Sequence, residues 1–370
     1  MSSSPKIAIV CDWLTDLGGA ERVILALHQL YPDAPIYTSI YNRSNLPQFG
    51  NADVRTSFLQ KMPGAKKKHQ RYLAQMPLAF ESFDLDEFDV VISSSHSCAK
   101  GIITKPDTLH ISYCHSPPRY LWDGSHQYVK EYPWPKILKK TLIPSVLHDL
   151  RVWDRAAADR VDLYVANSHY VSGRIKKYYR RKSEVIHPPV ELEPFVEEER
   201  DDYYLAVGRL IPYKRFDLII DAFNQLKRPL KVIGVGNQLK KLQKMASPNI
   251  EFLGMVPEDT LRNYYQYAKA LIFPQVEDFG ITPLEAMGHG CPVIAYGAGG
   301  ALETVKDNES GLFFNEQSTE ALVKAVEAFE HKQFDPQEVR GQAEKFESAV
   351  FAEKLSSFVD KSWDEWRSHQ

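Results

Sequence analysis

Short apolar runs alternate with stretches of helical hydrophobic period along the whole chain. In the first half, residues 6–11, 36–40, 88–93, 109–114, 162–166 and 184–186 are predicted strands. Most are continuous apolar runs, the pattern of parallel strands buried on both faces. Helices are predicted at 20–30, along a longer stretch from about 135 to 160, and at 170–179. In the longer stretch Ile143, Val146, Leu147, Leu150, Trp153 and Ala157 recur at helical spacing. Pro144 stands near its start or marks a kink.

His187-Pro188-Pro189-Val190 and the charge run Glu197 to Asp202 then interrupt the pattern and predict a linker. Beyond it the alternation restarts. Strands are predicted at 203–207, 231–233, 250–252, 270–273, 292–295 and 312–314. Helices are predicted at 213–226, 238–245, 257–267, 283–289, 319–329, 336–345 and 348–366. The fold class is therefore α/β, with two Rossmann-like doubly wound domains facing a cleft. Their predicted bounds are 1–187 and 188–347, with a closing helix over 348–370. In such sheets ligands bind beyond the carboxyl ends of the strands, so chemistry is sought there.

Composition narrows the classes. At roughly 150 residues per domain, 370 residues suit two domains. A 44% hydrophobic, 25% charged chain is ordinary for a soluble globular protein and excludes disorder as the main state. With 45 Lys+Arg against 48 Asp+Glu, it is not a strongly basic nucleic-acid binder. No apolar run approaches the roughly 20 residues of a membrane span. Cys11, Cys98, Cys114 and Cys291 form no C-x-x-C pair and read as buried reduced thiols. The first apolar run is too short for a signal-peptide core, so a cytoplasmic location is expected.

The richest segment runs from Phe273 to Met287. A predicted strand ends, and a helix opens near Thr282-Pro283, with Thr282 suited to the N-cap and Pro283 to the first helical position. Such an end, with free N–H groups, can hold a diphosphate. Gly280 admits close backbone approach. Glu277 and Glu285 flank the end and suit sugar or ribose hydroxyls, since carboxylates accept hydrogen bonds only. Thr282 to Glu285 also spells a capping box, in which Glu285 would bond backbone alone. In the second segment, Val207 to Phe216, the bases Arg209, Lys214 and Arg215 cluster at a helix start that disfavours cations. An anion bound there accounts for them; ordinary surface bases are the alternative.

Gly18-Gly19 opens the first helix without the G-x-G-x-x-G fingerprint of a dinucleotide fold. Gly234-Val235-Gly236 and Gly297 to Gly300 are further turns able to expose amides or merely to bend. His115, like Ser93 to His96, falls at the end of a predicted strand, where a structural role is equally open. Asp84-Leu85-Asp86 precedes a strand and reads as solvated turn acids rather than a metal site.

Taken together, Gly18-Gly19, Gly208-Arg209 with Lys214, and Glu277 with Glu285 around Phe279-Gly280 resemble the retaining GT-B glycosyltransferases of family GT4 over essentially the whole chain. The resemblance implies a nucleotide-sugar donor held mainly by the C-terminal domain. It implies that Arg209 and Lys214 neutralise the diphosphate, Glu285 holds the ribose, and Glu277 holds the transferred sugar. Backbone of Phe279, Gly280, Ile281 and Thr282 would lie along sugar and phosphate, His115 would reach the sugar, and Met255-Val256 would border the base. It also implies a last helix that returns to the N-terminal domain, retention of anomeric configuration, no metal, and no cofactor, the nucleotide sugar being a substrate. One departure is Arg215, where the family often has glycine. Tyr213-Lys214-Arg215-Phe216-Asp217, Glu277 to Gly280 and His115 to Tyr120 look most like bacterial O-antigen and exopolysaccharide mannosyltransferases, which points to GDP-mannose.

The acceptor side is less legible. Residues 61–80 hold Lys61, Lys66, Lys67, Lys68 and Arg71 with no acid, beside Met62, Tyr72, Leu73, Met76 and Leu78. Residues 174–182 add six bases. Solvated faces account for them, as does a surface resting on anionic membrane at its cytoplasmic face, which suits a glycan or lipid-linked acceptor. Competing classes are a transferase using a UDP-sugar such as UDP-glucose, a sugar-nucleotide epimerase of the same fold, a non-catalytic nucleotide-binding protein, and a nicotinamide dehydrogenase, which the missing fingerprint disfavours.

Overall fold

The computed structural model describes residues 5–131, 135, 137, 139 and 142–369. The chain divides into two compact units: residues 1–189 with 351–370, and residues 190–350.

Unit 1 is built on a seven-stranded parallel sheet of order β3-β2-β1-β4-β5-β6-β7. Its strands are β1 (Ile7–Cys11), β2 (Ile36–Thr38), β3 (Val54–Thr56), β4 (Val90–Ser95), β5 (Leu109–Cys114), β6 (Leu163–Ala166) and β7 (Glu184–Val185). Helices α1 (Gly19–Leu30), α2 (Ala65–Lys68), α3 (Met76–Glu81), α4 (Ser125–Glu131), α5 (Leu142–Ala158) and α6 (His169–Tyr178) connect them. Alternate strand residues feed opposite layers, as the two-residue period of a strand dictates. Ile9 and Cys11 of β1 pack with Val23, Ile24 and Leu27 of α1, whereas Ala8 and Val10 pack with Met76, Ala79 and Phe80 of α3. β3 is a three-residue edge strand with exposed Arg55 and Thr56, so no apolar run announces it. Residues 136, 138, 140 and 141 of the stretch anticipated from about 135 lie outside the described residues; Pro144 is the third residue of α5.

Unit 2 is a six-stranded parallel sheet of order β10-β9-β8-β11-β12-β13. Its strands are β8 (Tyr204–Val207), β9 (Leu230–Ile233), β10 (Ile250–Gly254), β11 (Leu271–Phe273), β12 (Val293–Tyr296) and β13 (Gly311–Phe314). Its helices are α7 (Phe216–Leu226), α8 (Leu239–Met245), α9 (Glu258–Tyr267), α10 (Ile281–Gly288), α11 (Ala301–Thr304), α12 (Thr319–Glu330) and α13 (Pro336–Glu344). Tyr204 and Ala206 face the layer of α7 and α12, and Leu205 faces that of α9, α10 and α13. The anticipated linker is structured at its acidic end. The Arg200 guanidinium donates to the Gln266 and Ala268 carbonyls at 3.0 and 2.9 Å, and Lys269 pairs with Asp202 at 2.6 Å.

The last helix, α14 (Ser348–Ser368), places Phe351, Leu355 and Val359 in the core of unit 1, against the same layer as α1. The spacing of four puts them on one stripe. Leu355 is fully buried. Leu355→Ala is expected to destabilise unit 1 by about 2–5 kcal/mol, the cost of an unfilled core cavity, read as a lowered urea midpoint.

Candidate active site

In unit 2 the strand order reverses at β8: the chain goes on to β9 on one side and returns through β11 on the other. The loops after β8 and β11 therefore diverge at the switch point where open α/β sheets take their ligands. The Lys214 ammonium pairs with the Glu277 carboxylate across this point, both largely buried. Arg209, on the same loop as Lys214, is exposed, and its guanidinium makes no hydrogen bond or ion pair with a described residue. Arg215 stands as the N-cap of α7 with φ 55°, the left-handed region that glycine favours. Its side chain meets Asp217 at 3.4 Å and the Gln317 amide at 3.5 Å, and Gln317 donates to the Pro274 carbonyl at 2.7 Å. The departure from the family thus ties the β8 and β11 loops through Gln317, whose place nothing in the sequence signalled.

Glycines set the spacing of these loops. A Cβ on Gly234 would lie 1.9 Å from the Gly208 carbonyl oxygen, and one on Gly236 2.3 Å from that of Leu210. A Cβ on Gly300 would lie 2.2 Å from the Phe279 carbonyl oxygen. The Gly300 N–H donates to the Glu277 carbonyl at 3.0 Å. The two glycine turns are thus the spacers that let adjacent loops touch backbone to backbone.

The start of α10 corrects one expectation. Its N-cap is Gly280, at φ 92°, and no side chain caps it. Thr282 is the second helical residue and Pro283 the third, so Thr282 is not the cap and no capping box forms. A residue at φ 92° is nearly always glycine, which moves the helix start two positions back. Ile281 and Thr282 present N–H groups with no acceptor one turn earlier. Glu285 accepts a hydrogen bond from the Tyr265 hydroxyl at 3.2 Å. The Phe279 ring is buried against Phe346. Met255 is exposed and Val256 half-buried at the end of β10, in the same unit.

The remaining sequence-derived residues lie in unit 1. Gly18 is the N-cap of α1 and Gly19 its first residue; the Gly18 N–H donates to Glu21 Oε2 at 3.0 Å. This unit's switch point is between β1 and β4. There the Asp12 carboxylate accepts the N–H groups of His96 and Ser97 at 2.7 and 2.9 Å, and of Cys98 and Ala99 at 2.6 and 2.7 Å. Sequence reasoning missed Asp12, whose partners lie 84 and more positions along the chain. His115 Nε2 lies 2.8 Å from Ser94 Oγ. Burial, then the neighbouring His96, holds His115 down to about 3. Burial, then His96, holds His69 down to about 4. Burial pushes the Glu21 carboxyl up.

Arg174 belongs to no exposed basic face: it is buried and pairs with Asp123 at 2.6 Å. Lys61, Lys66, Lys67, Lys68 and Arg71 are exposed. Asp84 and Asp86 are exposed in a turn. All four cysteines are buried thiols, none in a disulfide. Among the described residues no three His, Cys, Asp or Glu side chains group as a metal site requires, and no helix is long and apolar enough to cross a membrane.

The buried imidazoles set a pH dependence of stability. His110, sealed inside unit 1 with Nε2 2.8 Å from Ser93 Oγ, is held down to about 3 by burial. The unfolded chain takes up that proton near the ordinary 6.5, so it binds more protons than the folded chain between those values. Stability therefore rises with pH across that window, by up to about 1.4 kcal/mol per pH unit for a fully buried imidazole. Melting temperatures are expected to fall from pH 7 to pH 5, with a shallower slope in His110→Asn.

The family "Glycosyltransferase Family 4" matches residues 17–194 and "Glycosyl transferases group 1" matches residues 169–346. The alpha-1,3/1,6-mannosyltransferase of Mus musculus is 23% identical, over 93% of this chain and 94% of its own. An uncharacterized glycosyltransferase of Methanocaldococcus jannaschii is 28% identical over 48% of this chain, which spans only 52% of that protein. A GDP-mannose-dependent phosphatidylinositol monomannoside mannosyltransferase of Mycobacterium tuberculosis is 32% identical over 33% of this chain and 36% of its own. Among solved structures, Anabaena HepE in complex with UDP and glucose superposes with a TM-score of 0.70 at 16% identity, over 96% of this chain and all of that one.

Proposed function

The chain belongs to the family 4 glycosyltransferases, with the two-domain GT-B fold, and from that premise we propose that it transfers mannose from GDP-mannose to a hydroxyl of a glycan or lipid-linked glycan. The observation that carries the reading is the Lys214–Glu277 pair at the switch point of unit 2, with Glu285 on the helix that opens beside it. A cation and a hydroxyl-accepting carboxylate at one such point fit the two halves of a nucleotide sugar, its diphosphate and its hexose. The mannosyltransferases among its relatives support mannose as the sugar.

In this proposal Lys214 and Arg209 neutralise the diphosphate as the bond from sugar C1 to phosphate oxygen breaks and the electron pair leaves with the diphosphate. The N–H groups at the start of α10 add to that stabilisation, which grows as charge builds. Glu277 accepts hydroxyls of the transferred sugar, and Glu285, steadied by Tyr265, accepts those of the ribose. Met255 and Val256 border the base. Gly18, Gly19 and His115 are the contribution of unit 1. The acceptor oxygen bonds to C1 with retention of configuration, and these cations serve in place of a divalent metal. The exposed bases at 61–71, with Phe58 and Met62, provide a surface for an anionic membrane that carries the acceptor.

Two substitutions test the assignment. Glu285→Gln is expected to weaken GDP binding about 10- to 150-fold, the loss of a charged hydrogen bond worth roughly 1.5–3 kcal/mol. Glu277→Gln is expected to leave GDP affinity nearly unchanged and to cut turnover, since its contact matters most as the sugar becomes cationic. Calorimetric titration with GDP and with UDP reads both effects and the base preference; tighter UDP binding would favour a UDP-sugar donor. In a transfer assay with a panel of nucleotide sugars, activity is expected to survive excess EDTA. Proton NMR of the first product is expected to show an α linkage.

A further inference from the structure

Three loops of unit 2 meet beside the Lys214–Glu277 pair, and two of them carry it. The third follows β13, which lies two strands away from β11 in the sheet. Gln317 stands on that loop, three residues past the end of β13. Its amide donates to the Pro274 carbonyl at 2.7 Å, and its Oε1 accepts from Arg215 Nη1 at 3.5 Å. Pro274 is buried and directly follows β11, three residues before Glu277. Arg215 directly follows the single 3-10 turn Pro212–Lys214, and its N–H closes that turn on the Pro212 carbonyl at 3.1 Å. The chain Arg215–Gln317–Pro274 therefore joins the same two loops as Lys214–Glu277 does, and it uses neither of those side chains. A ligand affects the two ties differently. An anion that engages the Lys214 ammonium competes with Glu277 for it, so the pair loosens as the anion binds. Gln317 is bonded at one end to a backbone carbonyl and at the other to a guanidinium that Asp217 also holds at 3.4 Å, so its tie does not depend on Lys214.

We propose that Gln317 is a positioning residue for the diphosphate of the donor. With Arg215 it keeps Lys214 at a fixed spacing from the β11 loop once the Lys214–Glu277 pair has parted. The inference rests on the transferase reading and adds to it a residue that acts through Lys214. In the ligand-free protein the two ties are redundant, and loss of Gln317 leaves the loops joined by the ion pair. In the liganded protein only the Gln317 tie remains, and its loss lets the turn that bears Lys214 drift from the phosphate oxygens. The role of Gln317 is thus confined to the bound state, which separates it from a residue that merely supports the fold.

The test uses the full chain with Gln317→Met, which keeps the length of the side chain and removes both hydrogen bonds. Arg215→Gly breaks the same tie at its other end, and glycine adopts φ 55° freely, so that variant loses no backbone stability. Calorimetric titration with GDP and with UDP reads the affinity, and the tighter of the two serves for comparison. Each variant is expected to bind it about 3- to 10-fold more weakly, as the loss of one hydrogen bond implies. The double variant should bind no more weakly than either single one. Melting temperatures of the ligand-free proteins should stay within about 2 °C of the wild type. In a Lys214→Met background, Gln317→Met should change affinity by less than about 2-fold, because the group it positions is gone. Wild-type affinity in Gln317→Met would overturn the proposal. So would an equal loss in the Lys214→Met background, or a loss accompanied by a fallen melting temperature, since a merely structural role predicts both. A wild type that binds neither nucleotide and turns over no nucleotide sugar would sink the transferase reading and this inference with it. A wild type that binds, with a variant that binds equally well, sinks this inference alone.

Discussion

A parallel sheet whose strand order reverses must let two neighbouring loops diverge at the reversal, and in both sheets of this protein a polar contact ties the diverging loops together. Divergence opens the space for a ligand; without a tie the same space would leave the loops undefined. In unit 1 the tie is one buried carboxylate, Asp12 after β1, accepting the N–H groups of the loop after β4. In unit 2 it is the Lys214–Glu277 pair between the loops after β8 and β11, seconded by Gln317. Both solutions place a negative oxygen at the mouth of the sheet, but they differ in consequence. Asp12 is saturated by backbone and can only hold and orient. Glu277 has a side-chain partner that an incoming anion can engage instead, so its oxygens can be given over to a ligand.

The glycine turns explain how ties so short can form. At two places where loops of unit 2 meet, a glycine removes the side chain that would stand between their backbones, Gly234 against Gly208 and Gly300 against Phe279. The contacts are too close for any Cβ, so these positions fix the width of the site. Gly280 works differently: its positive φ bends the chain into α10 and sets which N–H groups the helix offers. Arg215 carries a comparable backbone conformation without being glycine, at a cost on the order of 1–2 kcal/mol, and its side chain recovers contacts to Asp217 and Gln317.

The histidines of unit 1 show how burial separates chemically identical groups. His110 has no route to water and serves the interior. His115 and His69 are kept neutral by burial and by the proximity of His96. His96 has the Asp12 carboxylate within ion-pair distance, whereas the rings of His110 and His115 meet serine hydroxyls.

Hydrophobic period alone was enough for the α/β class, for twelve of the thirteen strands, and for the place of Arg209, Lys214 and Glu277 in loops after strands and of Glu285 on the helix that follows. Continuous apolar runs are forced on strands covered on both faces, so those strands are legible; β3 is not, because an edge strand with Arg55 and Thr56 in solvent needs no such run. The family resemblance was legible for a related reason, since loops at strand ends carry short motifs that packing does not scramble. The partners were not. Nothing local marks Asp12 as the acceptor for residues 84 or more positions away, Tyr265 as the donor to Glu285, or Gln317 as a strut between two loops. The cap of α10 was misplaced because Thr282-Pro283 has the local chemistry of a helix start, while the backbone turn demanded at Gly280 comes from the loop's path beneath Gly300. Local sequence determined what each segment would become. Tertiary structure decided which polar atoms would find each other, because hydrogen bonds across a sheet depend on strand order, and strand order is a property of the folded chain.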